Sequence, residues 1–85
     1  MSNPEFLNEP ISLNCVIDTQ GHITPKSLRW EGRDHTIVSV GRQWEESEGR
    51  HVLVELEDGS RLEAQLNREK LIWYIKKLWR AQMMA

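Results

Sequence analysis

The strongest constraint on this chain is a pair of apolar rows on either side of one Asp-Gly. Val52, Val54 and Leu56 alternate with other residues before it, and Leu62, Ala64 and Leu66 alternate after it. Period two is the pattern of a half-buried strand. A two-residue loop at Asp58-Gly59 would set Val54 against Glu63 and put the rows on opposite faces. A three-residue loop, Glu57-Asp58-Gly59, pairs Leu56 with Ser60, Val54 with Leu62 and Val52 with Ala64. A slip of one residue turns every side chain over, so only the second register brings both rows to one face. It calls for a type I turn followed by Gly59 in the left-handed conformation, as a G1 bulge.

A second hairpin is read upstream. Gly32-Arg33 has the Gly-X form of a two-residue type II′ turn, which pairs Glu31 with Asp34, Trp30 with His35 and Leu28 with Ile37. Leu28, Trp30, His35 and Ile37 then share one face. The following strand, Thr36 to Val40, is apolar on both faces and is expected to be central in its sheet. Arg42 and Trp44 continue on its Val38/Val40 side, with Gly41 placed to permit a bulge.

Before this hairpin, Ile11, Leu13, Cys15 and Ile17 alternate with polar residues as a half-buried strand. Asp18-Thr19-Gln20-Gly21-His22 is turn chemistry, and Pro25 disfavours helix at Thr24, so residues 19–26 read as a connecting loop. Residues 1–10, with Pro4 and Pro10, read as a flexible leader. The acidic stretch 45–50 reads as a flexible loop. The last segment is ambiguous: Leu71, Ile72, Ile75, Leu78 and Trp79 fit a helical stripe, whereas Leu71, Trp73 and Ile75 alternate as in a strand. A strand over residues 71–77, turning helical or frayed afterwards, is the expectation. Together these elements predict one small, mainly β domain over residues 11–80 and a frayed tail over 81–85. The expected architecture is a five- or six-stranded twisted antiparallel sheet or SH3-like barrel, with the C-terminal segment a last strand or short helix.

Length and charge bound the function classes. Eighty-five residues make one domain with a modest core. No apolar run approaches the roughly 20 residues of a membrane span, and Met1 to Glu5 has no signal-peptide character. The single cysteine, Cys15, allows no intrachain disulfide and makes a reducing cytoplasm the expected compartment. Net charge is −2, which argues against a dedicated nucleic-acid binder. The balance is uneven, −6 over residues 1–65 and +4 over residues 66–85. That pattern suits either a basic last segment lying on an acidic body or a basic partner-binding edge.

Gly21-His22-Ile23-Thr24-Pro25, Leu28 to His35, Trp44, Val54 to Gly59 and Trp73-Tyr74-Ile75 with Leu78-Trp79 form a recurring pattern. Over residues 11–79 the chain resembles a small bacterial domain family of unknown function. Members of that family carry a Trp-x-Gly-Arg-x-aromatic hairpin, a downstream Trp, an acidic-Asp-Gly hairpin and a late Trp. His35 stands where the family usually has an aromatic such as Tyr, and the acidic loop is short. The resemblance implies a compact β domain with Trp73 and Ile75 on a strand, and it carries no activity. Some relatives are encoded near error-prone polymerase genes, which associates the family with DNA-damage contexts.

No catalytic or cofactor motif stands out. There is no Gly-x-Ser-x-Gly elbow and no Gly-rich phosphate loop. His22, His35, His51 and Cys15 match no zinc spacing, so no metal, cofactor or enzymatic activity is expected. Four tryptophans are the conspicuous residues. Trp30 and Trp73 lie in apolar rows and are expected in the core. Arg33, Arg42, Trp44, Lys76, Lys77, Trp79 and Arg80 are the candidate partner-binding residues, because arginine beside tryptophan makes protein hot spots and single-strand nucleic-acid platforms alike. The expected function is a non-catalytic interaction module that binds a protein partner or a second copy of itself. An accessory nucleic-acid-binding domain is the alternative.

The Asp58-Gly59 register carries a direct test. Gly59→Ala is expected to cost about 1 kcal/mol or more, since a Cβ opposes positive φ. Urea denaturation measures it, and an unchanged or higher stability would contradict the register.

Overall fold

A computed structural model describes residues 3–81. The apolar rows meet as their alternation requires. Gly49–Leu56 and Arg61–Asn67 pair antiparallel, with Val54 opposite Leu62 and Val52 opposite Ala64. Gly59 has φ +90°, and its amide donates to the Leu56 carbonyl at 3.0 Å, closing the three-residue turn. The Asp58 carboxylate accepts from the Ser60 amide at 2.8 Å, which stiffens that turn from the side.

Around this hairpin runs a closed antiparallel barrel of six strands in chain order: β1 (Glu5–Ile17), β2 (Ile23–Trp30), β3 (Arg33–Glu46), β4 (Gly49–Leu56), β5 (Arg61–Asn67) and β6 (Trp73–Trp79), with β6 returning to β1. It is a small barrel of the SH3-like kind. Among the described residues no helix is long and apolar enough to cross a membrane.

Two strands are long because each serves two sheets. β1 pairs with β6 over Glu5 to Ile11 and with β2 over Ser12 to Ile17. β3 pairs with β2 over Arg33 to Thr36 and with β4 from Ile37 to Glu46. One sheet therefore has five strands (β3, β4, β5, β6, β1) and the other three (β1, β2, β3). Their inner faces enclose Ile23, Leu28, Val52, Leu62, Ile75 and Leu78, each 2% exposed or less. Burying one such side chain contributes about 2 kcal/mol. Trp30 and Trp73 complete the core, both 9% exposed. The Trp30 indole N–H donates to Glu9 at 3.0 Å, so its one polar atom is satisfied.

The structure corrects several expectations. The upstream hairpin turns at Glu31-Gly32, both with positive φ (54° and 75°), and pairs Trp30 with Arg33 and Leu28 with His35. Two positive φ values make a type I′ turn, whose twist matches the strands it joins. The pairing moves by two positions in sum, so Leu28, Trp30, His35 and Ile37 still share a face. The Trp30 and His35 rings lie 6.4 Å apart. Residues 5–10 are not a leader: they form the β6-paired half of β1. Residues 19–26 are not all loop, because β2 begins at Ile23 and Pro25 sits beside a bulge, where a missing N–H is tolerated. The acidic stretch 45–50 is not a six-residue loop either: Glu45 pairs with Arg50 and Glu46 with Gly49 across a two-residue turn. The last segment is strand throughout Trp73–Trp79. The expected frayed tail lies, beyond Ala81, outside the described residues. Val38 and Val40 are 59% and 38% exposed, so β3 is not buried on both faces.

Gly49 has a role that its loop-like context conceals. A Cβ there would overlap the Leu66 carbonyl and crowd the Arg68 amide. Only glycine lets β4 enter so close to β5. Gly49→Ala is expected to lower stability by about 3 kcal/mol, the scale of an overpacked core, and more than Gly59→Ala, where a Cβ would meet Ala81 at an ordinary 3.5 Å. Denaturant midpoints of the two variants give the comparison, and an equal or smaller loss at Gly49 would contradict the close approach.

Candidate interaction surface

The outer face of the five-stranded sheet is set by the same ladders that bury the core. Whatever alternates with an inward residue points out. Three rows result from the pairing. The first runs Trp44, His51, Gln65, Tyr74; the second Gly41-Arg42, Leu53, Glu63, Lys77; the third Ser39, Glu55, Arg61, Trp79.

Two bulges deliver these side chains. Gly41 and Arg42 together oppose Leu53, so β3 resumes its alternation with Gln43 inward and Trp44 outward. Lys76 is the extra residue of β6, which brings Lys77 opposite Glu63 and returns Leu78 to the core.

The first two rows hold a buried polar cluster where a barrel exterior is normally wet. His51, Glu63 and Gln65 are 4%, 6% and 2% exposed. His51 Nδ1 lies 2.7 Å from Glu63 Oε2. An ionised carboxylate only accepts, so this bond places the imidazole proton on Nδ1. Nε2 then faces Gln65 at 3.5 Å and Glu46 at 3.9 Å. Neither carries the hydroxyl or thiol that is the third member of a hydrolytic triad. Lys77 Nζ stands 3.7 Å from the other Glu63 oxygen. The cluster supports Trp44, whose ring stacks on His51 at 5.2 Å with 19° between planes. The Arg42 guanidinium lies 5.0 Å from the indole. The indole N–H donates to Glu46 at 2.6 Å. That hydrogen bond holds the Glu46 carboxyl below its ordinary value of 4.5.

The third row borders an open groove of about 670 Å³, lined by Leu53, Gly41, Glu55, Arg61, Trp79 and Arg80 among others. Leu53 is the apolar residue on this otherwise polar side of β4, and Gly41 leaves the space above it unfilled.

Of the residues singled out by sequence, Arg42, Trp44, Lys76, Lys77 and Trp79 come together on this face, with Arg80 at its rim. Arg33 does not: it sits exposed at the β2–β3 turn, opposite Trp30. Several of the cations already have partners. Arg80 pairs with Glu5, Lys77 with Glu63, and Lys76 donates to Asn8 at 2.7 Å. Trp44 and Trp79 are both half-buried. His51, Leu53, Arg61, Glu63 and Gln65 were missed. Their signal was present as the complement of the two apolar rows, and Leu53 interrupts a polar row. Cys15 is half-buried, and burial pushes its thiol pKa up, away from the thiolate that a nucleophile or metal ligand needs. Among the described residues no three His, Cys, Asp or Glu side chains group as metal ligands.

Two predictions follow from the cluster. Glu63→Ala leaves His51 and Lys77 without their carboxylate and is expected to cost about 3 kcal/mol in urea denaturation; wild-type stability would contradict a supporting role. The second concerns acid. Glu46 is lowered by Trp44, and Glu45 is lowered by hydrogen bonds from Arg50 and Arg68, both relative to 4.5. A depressed carboxylate stabilises the fold above its unfolded pKa and loses that contribution as pH falls through the folded value. The Glu46 carboxyl carbon, followed by NMR in the intact protein, is therefore expected to titrate with its midpoint below 4.5. A transition centred above that value would contradict the assignment. Comparison of the chain with protein-family models, curated proteins and solved structures finds no match.

Proposed function

We propose that this chain is a non-catalytic protein-interaction module that makes contact through the outer face of its five-stranded sheet. The observation that carries the reading is the open groove of about 670 Å³, whose lining includes Leu53, Gly41 and Trp79 beside Glu55, Arg61 and Arg80. An aromatic and an apolar side chain among charged neighbours are the composition of a protein contact site. A second copy of the chain is among the partners that such a module admits, and its compartment is the cytoplasm.

An accessory nucleic-acid-binding domain is the second reading. It is favoured by Arg42 and Arg61, which have no carboxylate within salt-bridge distance among the described residues, on the same face as Trp44 and Trp79. It ranks lower for two reasons. The face also carries Glu46, Glu55 and Glu63, and Trp44 already has His51 stacked on it and Arg42 beside it, which leaves little open ring for a base.

Photo-cross-linking from position 53 tests the proposal. Leu53→p-benzoylphenylalanine, in cells that make the protein, is expected to give protease-sensitive adducts that the same substitution at Arg33 does not. Adducts equal at both positions would contradict the groove. Nuclease-sensitive adducts, with binding of an oligo-dT probe that weakens steeply with salt and is lost in the Lys76→Glu/Lys77→Glu double variant, would favour the second reading.

A further inference from the structure

One ring nitrogen of the buried cluster is uncommitted. His51 Nδ1 is bonded to Glu63 at 2.7 Å, and the other Glu63 oxygen has Lys77 Nζ at 3.7 Å. His51 Nε2 has no such fixed partner. It faces the Gln65 amide nitrogen at 3.5 Å and the exposed Glu46 carboxylate at 3.9 Å. In a neutral imidazole with its proton on Nδ1, Nε2 accepts, and the Gln65 N–H is its donor. A protonated Nε2 donates instead. The Gln65 N–H then opposes it, and the Glu46 carboxylate is the acceptor on that side of the ring. The charged groups around the ring come from three strands: Glu46 and Arg42 from β3, Glu63 from β5 and Lys77 from β6. Tyr74 ends the row on β6, and the outward neighbours of His51 on β4, Gly49 and Leu53, carry no charge.

Trp44 is held by the same two groups. Its ring stacks on His51 at 5.2 Å, and its indole N–H donates to Glu46 at 2.6 Å. Histidine is the side chain that changes charge between pH 5 and 8, and Glu46, held below 4.5, stays ionised throughout that range. A proton on Nε2 therefore attracts a carboxylate that is always charged. Closing 3.9 Å to a hydrogen bond takes about 1 Å of movement. His51 is buried between strands, so the exposed Glu46 side chain is the one that moves, and it is bonded to the indole. An imidazolium also attracts the face of an indole, as a neutral ring does not. Both effects tighten the hold on Trp44.

We propose that His51 is a proton-operated latch on Trp44: a proton on Nε2 ties His51 to Glu46 and fixes the indole against the sheet, and its loss frees Trp44 to move. The latch regulates the face described above, and its use in binding rests on the interaction-module reading. Its operation does not. It is read in the isolated chain, without a partner and without Leu53 or Trp79, so its failure and that of the groove are separable.

NMR of the ¹⁵N-labelled full chain, from about pH 8 to about pH 5, tests it. Ring-nitrogen spectra of His51 are expected to show Nδ1 protonated throughout and Nε2 gaining a proton. The heteronuclear NOE of the Trp44 indole N–H, which reports its fast motion, is expected to rise with the midpoint of His51 and not with that of His22 or His35. Glu46→Gln, at an exposed position, removes the charge that faces Nε2. It is expected to lower the proton affinity of His51 about threefold or more and to abolish the rise at Trp44. An Nε2 whose protonation state is constant over this range overturns the proposal. So does a Trp44 whose mobility is unchanged while His51 titrates, as a merely adjacent histidine would leave it. A His51 proton affinity that Glu46→Gln leaves at the wild-type value overturns it as well.

Discussion

The β4–β5 ladder is the constraint on which the rest depends. Val52, Val54, Leu56, Leu62 and Ala64 are all 3% exposed or less, and they come from two strands joined by a three-residue turn. Such a pair gathers most of the apolar density of a small chain at minimal loop-closure cost. It also dictates what lies outside. With those five side chains inward, His51, Leu53, Glu55, Arg61, Glu63 and Gln65 have no choice but the exterior. The proposed interaction surface is thus the reverse side of the core, built by the same alternation.

An 85-residue chain closes a barrel around this ladder by making β1 and β3 do double service. Bulges let a strand bend from one sheet into the next. They also explain where sequence reading fails. Regular alternation is legible without a structure, and the β4–β5 register was readable to the residue from Leu56, Gly59 and Leu62. A bulge turns the inward spacing from two to three. Ile75 and Leu78 both face the core across the extra Lys76. A three-residue spacing is also helical, which is why the last segment fits a helical stripe as well as the expected strand. On β3, Ile37, Val40 and Gln43 are spaced by threes for the same reason. The upstream turn was misplaced by one residue because Glu31 adopts positive φ, which its residue type does not advertise. Gly49 looked like a loop glycine because the reason for it, the Leu66 carbonyl, lies seventeen positions away.

The candidate surface was only partly legible. Tryptophans and cations draw attention by type, and Arg42, Trp44, Lys77 and Trp79 do converge. Their partners do not announce themselves. Glu63 and His51 are ordinary polar residues on an outward row until the fold sets them 2.7 Å apart beneath the rim of Trp44. That pairing converts an exposed indole into a half-buried, oriented one. Pre-orienting an aromatic anchor reduces the entropy lost when a partner binds. The internal ion pairs of Lys77 and Arg80 have the opposite effect on a nucleic-acid reading, because charges already met by carboxylates release fewer counterions from a phosphate chain.

Native-state hydrogen exchange, resolved by residue, tests the architecture most directly. The account places β4 and β5 at the most stable end of the molecule and an unlaced seam along β3. Amides across 52–56 and 62–66 are therefore expected to exchange only through global unfolding. Amides within 38–42 that do not bond to β4 are expected to exchange at loop-like rates. Uniform slow exchange along the whole of β3, or fast exchange in the β4–β5 ladder, would contradict both the hierarchy of the core and the open edge beside it.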